Sequence, residues 1–304
     1  MVGNQPHLLK TIREYHQFRN LPRPQHPLIS VINVADIQSK GDEEPKTLVQ
    51  HFYSIALKRM TNGQLKYGQQ VYDFEEGVLF FMAPGQVYSI NPGAGFHHSG
   101  WILLIHPDFL WNTPLAKTIK QYEYFDYSTN EALFLSEKEE ATLTGIIQTI
   151  NQEYQANIDQ FSQQIIISQL ETLLNYSERF YHRQFITRKI TNHQILDRLE
   201  ALLAACFDGD SIEKNGLPTV QYIADALNVS PNYLSGLLRT LTGQSTQQHI
   251  HDKLIEKAKE KLSITDLSVS EIAYALGFEH PQSFSKLFKA KTSLSPLAFR
   301  QSFN

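Results

Sequence analysis

The stretch SVSEIAYALGFEHPQSFSKLFKAKTSLSPLAFR, residues 268–300, decides the fold of the C-terminal part of this chain. Ser268 followed by Glu271 is a capping box, the signature of a helix start. The alanines at 273 and 275 leave room for two helices to cross closely. Gly277 is the residue type that adopts the left-handed conformation of a tight turn, and it ends the helix there. Phe278 then tucks under the turn. Pro281 takes the first position of the next helix, where its missing N–H costs nothing. On that second helix Phe284, Leu287 and Phe288 share one face, while Gln282, Ser285, Lys286 and Lys289 share the other. This is the layout of a helix-turn-helix.

The same layout occurs upstream at an offset of 49 to 50 residues. Ile223-Ala224-x-Ala226-Leu227-Asn228-Val229 matches the segment from Ile272 to Phe278, and PNYLSGLLRTLTGQS (231–245) matches PQSFSKLFKAKTSLS (281–295). Thr219 is the cap, Asn228 the turn residue and Pro231 the first residue of the second helix. Leu234, Leu237, Leu238 and Leu241 lie on its buried face, with Asn232, Ser235 and Arg239 opposite. Hydrogen-bonding side chains at the front of a helix and cations further along suit base reading in a major groove combined with phosphate contact. A merely solvated polar face would not need the duplication. Between the copies, residues 245–264 read as one helix opening with the box Ser245-x-x-Gln248. About 18 residues make a strut of roughly 27 Å, suited to holding two recognition helices about one DNA turn, near 34 Å, apart. Its lysines, mixed with Asp252, Glu256 and Glu260, are expected to form mostly i,i+4 surface pairs.

Residues 217–301 resemble the AraC/XylS family of bacterial transcription regulators, with "IA-x-x-x-GF", "F-S-+-x-F-K" and "P-x-x-[FY]-R" present in order. The resemblance implies two helix-turn-helix motifs joined by one long helix. Carried over by position, it implies base-reading sites at Asn232, Ser235 and Gly236 in the first motif. In the second it implies them at Pro281, Gln282, Ser285 and Lys286. Arg239 and Lys289 match backbone-contacting positions. Gly236 has no side chain to read a base, Pro281 has little reach, Ser293 stands where the family usually has glycine, and Leu254 replaces a common arginine. Base-by-base specificity is therefore not transferable.

Upstream, LISVINV (28–34), HFYSIALKRM (51–60), GVLFFMAP (77–84) and GWILLIHP (100–107) read as short strands. Asn62-Gly63 and Pro84-Gly85 are turn signals between them. Such spacing points to a small antiparallel barrel or jelly roll. Ser136 and Glu139 then form a capping box ahead of a helix with Leu143, Ile146, Ile147 and Ile150 on one face. A second helix follows, striped by Ile166, Leu170, Leu173 and Leu174. These two helices either pack on the barrel or pair with a second copy. LISVINV, FMAPGQVYSI, GWILLIHPDFL and RFYHRQF resemble the cupin-like sensing domain of the same family, which implies small-molecule binding, dimerisation or both.

The expected fold class is therefore α+β with two domains, an N-terminal cupin-like β-barrel with dimerisation-type helices and a C-terminal all-α double helix-turn-helix domain. The expected division is a flexible arm over 1–25, a barrel over 26–135, helices over 136–208, a linker over 209–216 and a DNA-binding domain over 217–304.

Charge divides in the same sense. The chain of 304 residues carries a net charge of -4, which separates into +2 for 216–304 and -6 for the remainder. The single cysteine, Cys206, excludes an internal disulfide and reads as a small buried thiol. With no long apolar run and no signal-like start, no membrane partner is expected and a cytoplasmic location is.

Phe52, Tyr53, Tyr67, Phe80 and Trp101 are candidate lining residues for an apolar ligand pocket in the barrel, with a filled core as the alternative for each. The histidines lack the spacing of a cupin metal motif. His97 and His98 are adjacent and would face opposite sides of a strand, while His51 and His106 sit at strand ends. No metal, cofactor or catalytic residue is expected. The reading is a non-enzymatic, sequence-specific DNA-binding regulator that responds to an effector. Its expected partners are two adjacent major grooves of duplex DNA, a small molecule, a second copy of the chain and RNA polymerase. Two alternatives stay open: a barrel that only dimerises, and a metal-dependent cupin enzyme fused to a DNA-binding domain.

Overall fold

In the computed structural model the four apolar runs are strands: β2 (Ile29–Asn33), β4 (Tyr53–Thr61), β7 (Gly77–Met82) and β9 (His97–Ile105). The structure describes residues 6–37, 46–61, 64–67, 70–73, 77–90, 97–128, 131–156, 159–187, 189–208, 212 and 216–302. With β10 (Leu133–Leu135), the four form a five-stranded antiparallel sheet in the order β10-β7-β4-β9-β2. A second sheet has the order β1-β3-β8, from His7–Leu9, Lys46–Gln50 and Val87–Ile90, and β5 (Gln64–Tyr67) pairs with β6 (Gln70–Asp73) as a hairpin. Pro84-Gly85 makes the turn before β8, with Gly85 at φ +88°, whereas Asn62-Gly63 lies outside the described residues.

Registers explain why WILLI and ISVI are almost uninterrupted apolar runs. Ile55 pairs with Leu103 on one side and Phe81 on the other, and these three face one way. Ala56 pairs with Ile102 and Phe80, which face the other way. Both faces are covered, so alternation with polar residues is lost. On the Ile55 face, Phe81 packs against Tyr124 and Phe125 at ring-centroid distances of 4.4 and 5.3 Å. The Ala56 face forms a buried cluster with Leu9, Ile12, Tyr15, Ile32, Phe52 and Leu104. Gly100 is required where β9 crosses β4. Its φ is +134°, and a Cβ there would lie 2.1 Å from the Leu57 carbonyl oxygen.

Residues 7–18, within the segment expected as a flexible arm, are ordered. They form β1 and the helix α1 (Ile12–Phe18), started by a capping box in which Thr11 accepts from the Glu14 N–H and Glu14 accepts from the Thr11 N–H. Ile12, Tyr15 and His16 are buried. A stripe this short, under two turns, is hard to tell from a loop by periodicity alone. The short helix α2 (Leu115–Thr118) follows β9.

The capping box at Ser136 is present, with the Ser136 N–H donating to the Glu139 carboxylate at 2.9 Å, and it opens α3 (Glu137–Gln155). Leu143, Ile147 and Ile150 are buried along it. α4 (Ser162–Thr187) buries Ile166, Leu170, Leu173 and Leu174. Arg183 of α4 binds Glu139 through two nitrogens at 2.6 and 3.0 Å and the Phe134 carbonyl at 2.7 Å. Such forked, charge-assisted pairing is stronger than a single surface ion pair.

The chain separates into two compact units, Met1–Gln184 and Phe185–Asn304. The second contains α5 (Lys189–Cys206), α6 (Val220–Leu227), α7 (Pro231–Thr242), α8 (Thr246–Ile264), α9 (Val269–Ala275), α10 (Pro281–Thr292) and α11 (Pro296–Gln301). α5, which the sequence groups with the helices before the linker, packs on α6 and α8 within this unit and buries Leu199 and Leu203. Of the expected linker 209–216, only Ile212 and Gly216 are among the described residues. Cys206 is half-buried, and burial pushes its thiol pKa up. No helix among the described residues is long and apolar enough to cross a membrane.

Candidate nucleic-acid interface

The two repeat copies fold alike down to single hydrogen bonds. Thr219 caps α6 by accepting from the Tyr222 N–H, and Ser268 caps α9 by accepting from the Glu271 N–H. At the turns, Asn228 has φ +58° and Gly277 φ +77°. The Val229 N–H donates to the Ala224 carbonyl at 3.0 Å, and the Phe278 N–H donates to the Ala273 carbonyl at the same distance. Each bond closes a helix end that would otherwise leave carbonyls unsatisfied. Pro231 and Pro281 then start α7 and α10.

The repeat continues past the recognition helices. α7 ends at Gly243 with φ +76° and α10 at Ser293 with φ +64°. Ser245 and Ser295 cap the helices that follow, and Thr246 and Pro296 are buried behind them. Ser245 also forms the expected box with Gln248, whose side chain accepts from the Ser245 N–H at 2.7 Å.

On α7, Leu234, Leu237 and Leu238 are buried and Leu241 is only half-buried. On α10, Phe284 and Phe288 are buried and Leu287 is half-buried. The signature phenylalanines form a chain of ring contacts, 278 to 284 at 5.5 Å, 284 to 288 at 5.8 Å and 288 to 299 at 5.4 Å. Arg300, the last signature residue, donates from Nε to the Leu262 carbonyl at 3.2 Å and from Nη2 to the Leu267 carbonyl at 2.6 Å. It satisfies the C-terminal end of α8 with a cation, where a helix dipole favours one. These motif residues build the second half of the unit.

The opposite faces carry the sequence-predicted contacts. Asn232, Ser235, Gly236 and Arg239 stand at i, i+3, i+4 and i+7 on α7, and Gln282, Ser285, Lys286 and Lys289 stand at the corresponding places on α10. Gln282, Lys286, Lys289 and Arg239 are exposed, and Asn232 and Ser285 are half-buried. Ser235 is half-buried too, and its hydroxyl shares a hydrogen bond with the Thr246 hydroxyl at 3.0 Å. That bond ties α7 to the start of α8. The two faces thus differ as their sequences do, with two cations and a glutamine outward on α10 and a single arginine fully outward on α7.

α8 has 19 residues, close to 28 Å at about 1.5 Å per residue. Its surface pairs are at i,i+3, Lys253 with Glu256 at 2.8 Å and Lys257 with Glu260 at 2.9 Å. Asp252 is not part of them. One of its oxygens accepts from Lys291 of the second motif at 2.7 Å, and the other accepts from Gln244, which follows the first recognition helix, at 2.8 Å. Nothing in the sequence marked Asp252 as the joint between the motifs, because Lys291 lies 39 residues away and Gln244 eight, across the turn before α8.

The five aromatic residues offered as pocket lining do not converge. Phe52 and Phe80 lie with Ala56 on one face of the five-stranded sheet, and the register puts Tyr53 and Trp101 on the other. Phe52 is fully buried against Tyr15, and Tyr53 packs edge-on against Phe125 at 5.1 Å. The side chain of Tyr67 lies outside the described residues. The period-2 alternation of β4 separates residues 52 and 53, which composition alone had grouped. His51 is exposed, and His106 lies half-buried beside Asp108 at 3.5 Å. Among the described residues no three His, Cys, Asp or Glu side chains gather into a metal-binding group.

Two motifs with matched turns, caps and outward polar faces define a double helix-turn-helix module. Residues 223–302 match the family described as a helix-turn-helix domain. The chain is similar to the uncharacterized HTH-type transcriptional regulator YijO of Escherichia coli K12, 27% identical over 52% of this chain and 52% of that one. It is similar over more of its length to YfiF of Bacillus subtilis, another uncharacterized HTH-type transcriptional regulator, at 24% identity over 82% of this chain and 76% of the relative. The HTH-type transcriptional activator RhaS of an Enterobacter species is 37% identical over 26% of this chain and 28% of its own. The match with YijO therefore spans about half of that relative's length, and the match with RhaS about the length of the helix-turn-helix module alone.

Proposed function

We propose that this protein is a sequence-specific DNA-binding transcription regulator. The observation that carries the reading is the duplicated outward face, Asn232, Ser235 and Arg239 on α7 repeated as Gln282, Ser285 and Lys289 on α10 at an offset of 50 residues. Each face follows a tight αL turn and starts at a proline. One chain then addresses two successive major grooves, residues 217–304 acting as the DNA-binding domain. Gln282, Ser285 and Lys286 read bases, and Arg239 and Lys289 hold phosphates. Asn232 and Ser235 contribute more to docking than to reading, since Ser235 already bonds Thr246.

The β-rich unit is read as a cupin-like barrel that senses a small molecule, with α3 and α4 as the contact to a second copy. Phe52 and Phe80, on one sheet face, remain the aromatic candidates for lining such a site. A cytoplasmic, non-enzymatic protein that meets RNA polymerase on DNA fits the relatives, which are regulators by name.

The test is selection of full-length protein against a pool of random duplexes at low salt, followed by gel shift of the enriched sequences. Enrichment of a site containing two elements about ten base pairs apart is the expected result. Failure to bind any duplex more tightly than unselected competitor would overturn the proposal.

A further inference from the structure

The second compact unit begins at Phe185, in the last turn of α4, and that residue touches the first recognition helix. The rings of Phe185 and Tyr233 stand edge to face, with centroids 5.1 Å apart and planes at 76°, an arrangement that aromatic pairs favour. Both side chains are buried. Tyr233 is also fixed at its backbone, since its N–H donates at 3.2 Å to the Ser230 hydroxyl that caps α7. Phe185 lies outside the matched stretch 223–302 and outside the expected DNA-binding domain, and no local pattern in the sequence links it to Tyr233.

The place of Tyr233 on α7 gives this contact its consequence. At about 100° per residue, Asn232, Gly236 and Arg239 fall within about 60° of one another. Tyr233 stands about 100° to one side of Asn232, and Ser235 about 60° to the other. Tyr233 packs on Phe185, and Ser235 shares a hydrogen bond with the Thr246 hydroxyl at 3.0 Å. The outward stripe is therefore gripped on both flanks, which fixes the roll of α7 about its own axis. Leu234, Leu237 and Leu238 hold the helix down on the core, but apolar burial is non-directional and resists roll less than two flanking contacts do.

The second motif is built differently at the same position. The counterpart of Tyr233, at the offset of 50 residues, is Ser283, which is exposed. Residues from before the first motif meet the second one at its turn instead, where a Cβ on Gly277 would come within 2.9 Å of Ile212 and 3.3 Å of Leu217. A change at Phe185 thus bears on the first motif and not on the second.

We propose that Phe185 is a positioning residue for DNA binding. Through Tyr233 it sets the roll of α7, and with it the angle at which Asn232 and Arg239 meet the duplex. The proposal rests on α7 being a recognition helix, and it extends the DNA-binding machinery to a residue that precedes α5.

The test uses full-length protein carrying Phe185→Ala, Phe185→Leu or, as a control, Leu203→Ala, which truncates a buried side chain of α5 in the same unit. The duplexes carry the selected site with one element scrambled at a time. The second motif's element is the one whose base preference Gln282→Ala relaxes. Both Phe185 variants should bind the duplex that keeps the first element about five-fold or more weakly than the parent, and the duplex that keeps the second within about two-fold of it. Leu203→Ala should lower the melting midpoint and leave the ratio of the two affinities within about two-fold of the parental one. Should Phe185→Ala fail to fold, Phe185→Leu, which keeps most of the apolar bulk, carries the comparison. Hydrogen exchange reads the same seat without DNA. Residues 231–242 should exchange about five-fold or more faster in the Phe185 variants, with residues 281–292 unchanged. Equal losses on the two duplexes, parental affinities in both Phe185 variants, a ratio shifted as far by Leu203→Ala, or exchange raised equally in both helices each overturns the proposal. A parent protein that binds no duplex selectively overturns the regulator reading instead, and exchange then still decides whether Phe185 seats α7.

Discussion

Asp252 and Lys291 form an ion pair of 2.7 Å between α8 and the second recognition helix, and the other oxygen of Asp252 holds Gln244 from the first motif. One carboxylate thereby fixes both motifs to the linking helix. The pair is partly exposed, so its direct contribution to stability is small, up to about 1 kcal/mol. Its effect should appear in geometry. Asp252→Asn is expected to leave the thermal midpoint almost unchanged and to weaken binding to a duplex carrying both half-sites about 3- to 10-fold, on the order of 1 kcal/mol. Binding to a single half-site should hardly change. Titration of the two duplexes in parallel checks this, and equal losses on both would contradict it.

The second recognition helix should dominate base choice. Gln282→Ala and Lys286→Ala are each expected to cost about 1–3 kcal/mol on the selected site and to relax preference at one position. Arg239→Ala should weaken all duplexes evenly and reduce the slope of log affinity against log salt by about 0.9. Competition gel shifts at several salt concentrations distinguish the two patterns.

Ser293 occupies a left-handed turn at φ +64°, where the matching residue of the first copy is Gly243 at φ +76°. A residue with a Cβ pays roughly 1–2 kcal/mol for that conformation, while glycine pays more backbone entropy on folding. The strain is the larger of the two. Ser293→Gly should therefore raise stability by about 0.5–1 kcal/mol, read as an upward shift of the urea midpoint with unchanged slope. Gly243→Ser should lower it.

His16 makes the β-rich unit sensitive to acid. Its Nδ1 faces the Pro22 carbonyl, which can only accept, so Nδ1 carries the proton and Nε2 accepts from the Ser30 hydroxyl at 2.8 Å. Burial lowers the pKa of the ring, and the bond to Pro22 opposes that only in part. The folded state thus holds fewer protons than the unfolded chain. The resulting stability is fully present above the unfolded value near 6.5 and is lost as the pH falls through the lower folded value. His16→Gln should destabilise by about 1–3 kcal/mol at pH 7 and lose this part of the acid dependence. Urea titrations between pH 7.5 and 5 compare the slopes, and identical pH dependence in the two proteins would exclude His16 as the source.

Local chemistry made the C-terminal module legible. Ser268 with Glu271, Asn228, Gly277, Pro231 and Pro281 act through their own backbone or within a few residues, so their roles are written in short stretches of sequence. The main strands were legible too, because a covered sheet needs continuous apolar runs such as WILLI. Helix α1 was not, being a short stripe whose burial depends on the sheet beneath it.

What the sequence by itself determined is the four main strands, the duplicated helix-turn-helix and the outward polar positions on α7 and α10, consequences of continuous apolar runs, capping, turn conformation and helical period. Only the tertiary structure decided which neighbours those positions have. It took Ser235 to Thr246, split the aromatic candidates between two sheet faces and made Asp252 the joint of the motifs. Those relationships join residues on different elements, from eight to 39 positions apart, and their energies depend on distance and burial after folding, which no local pattern encodes.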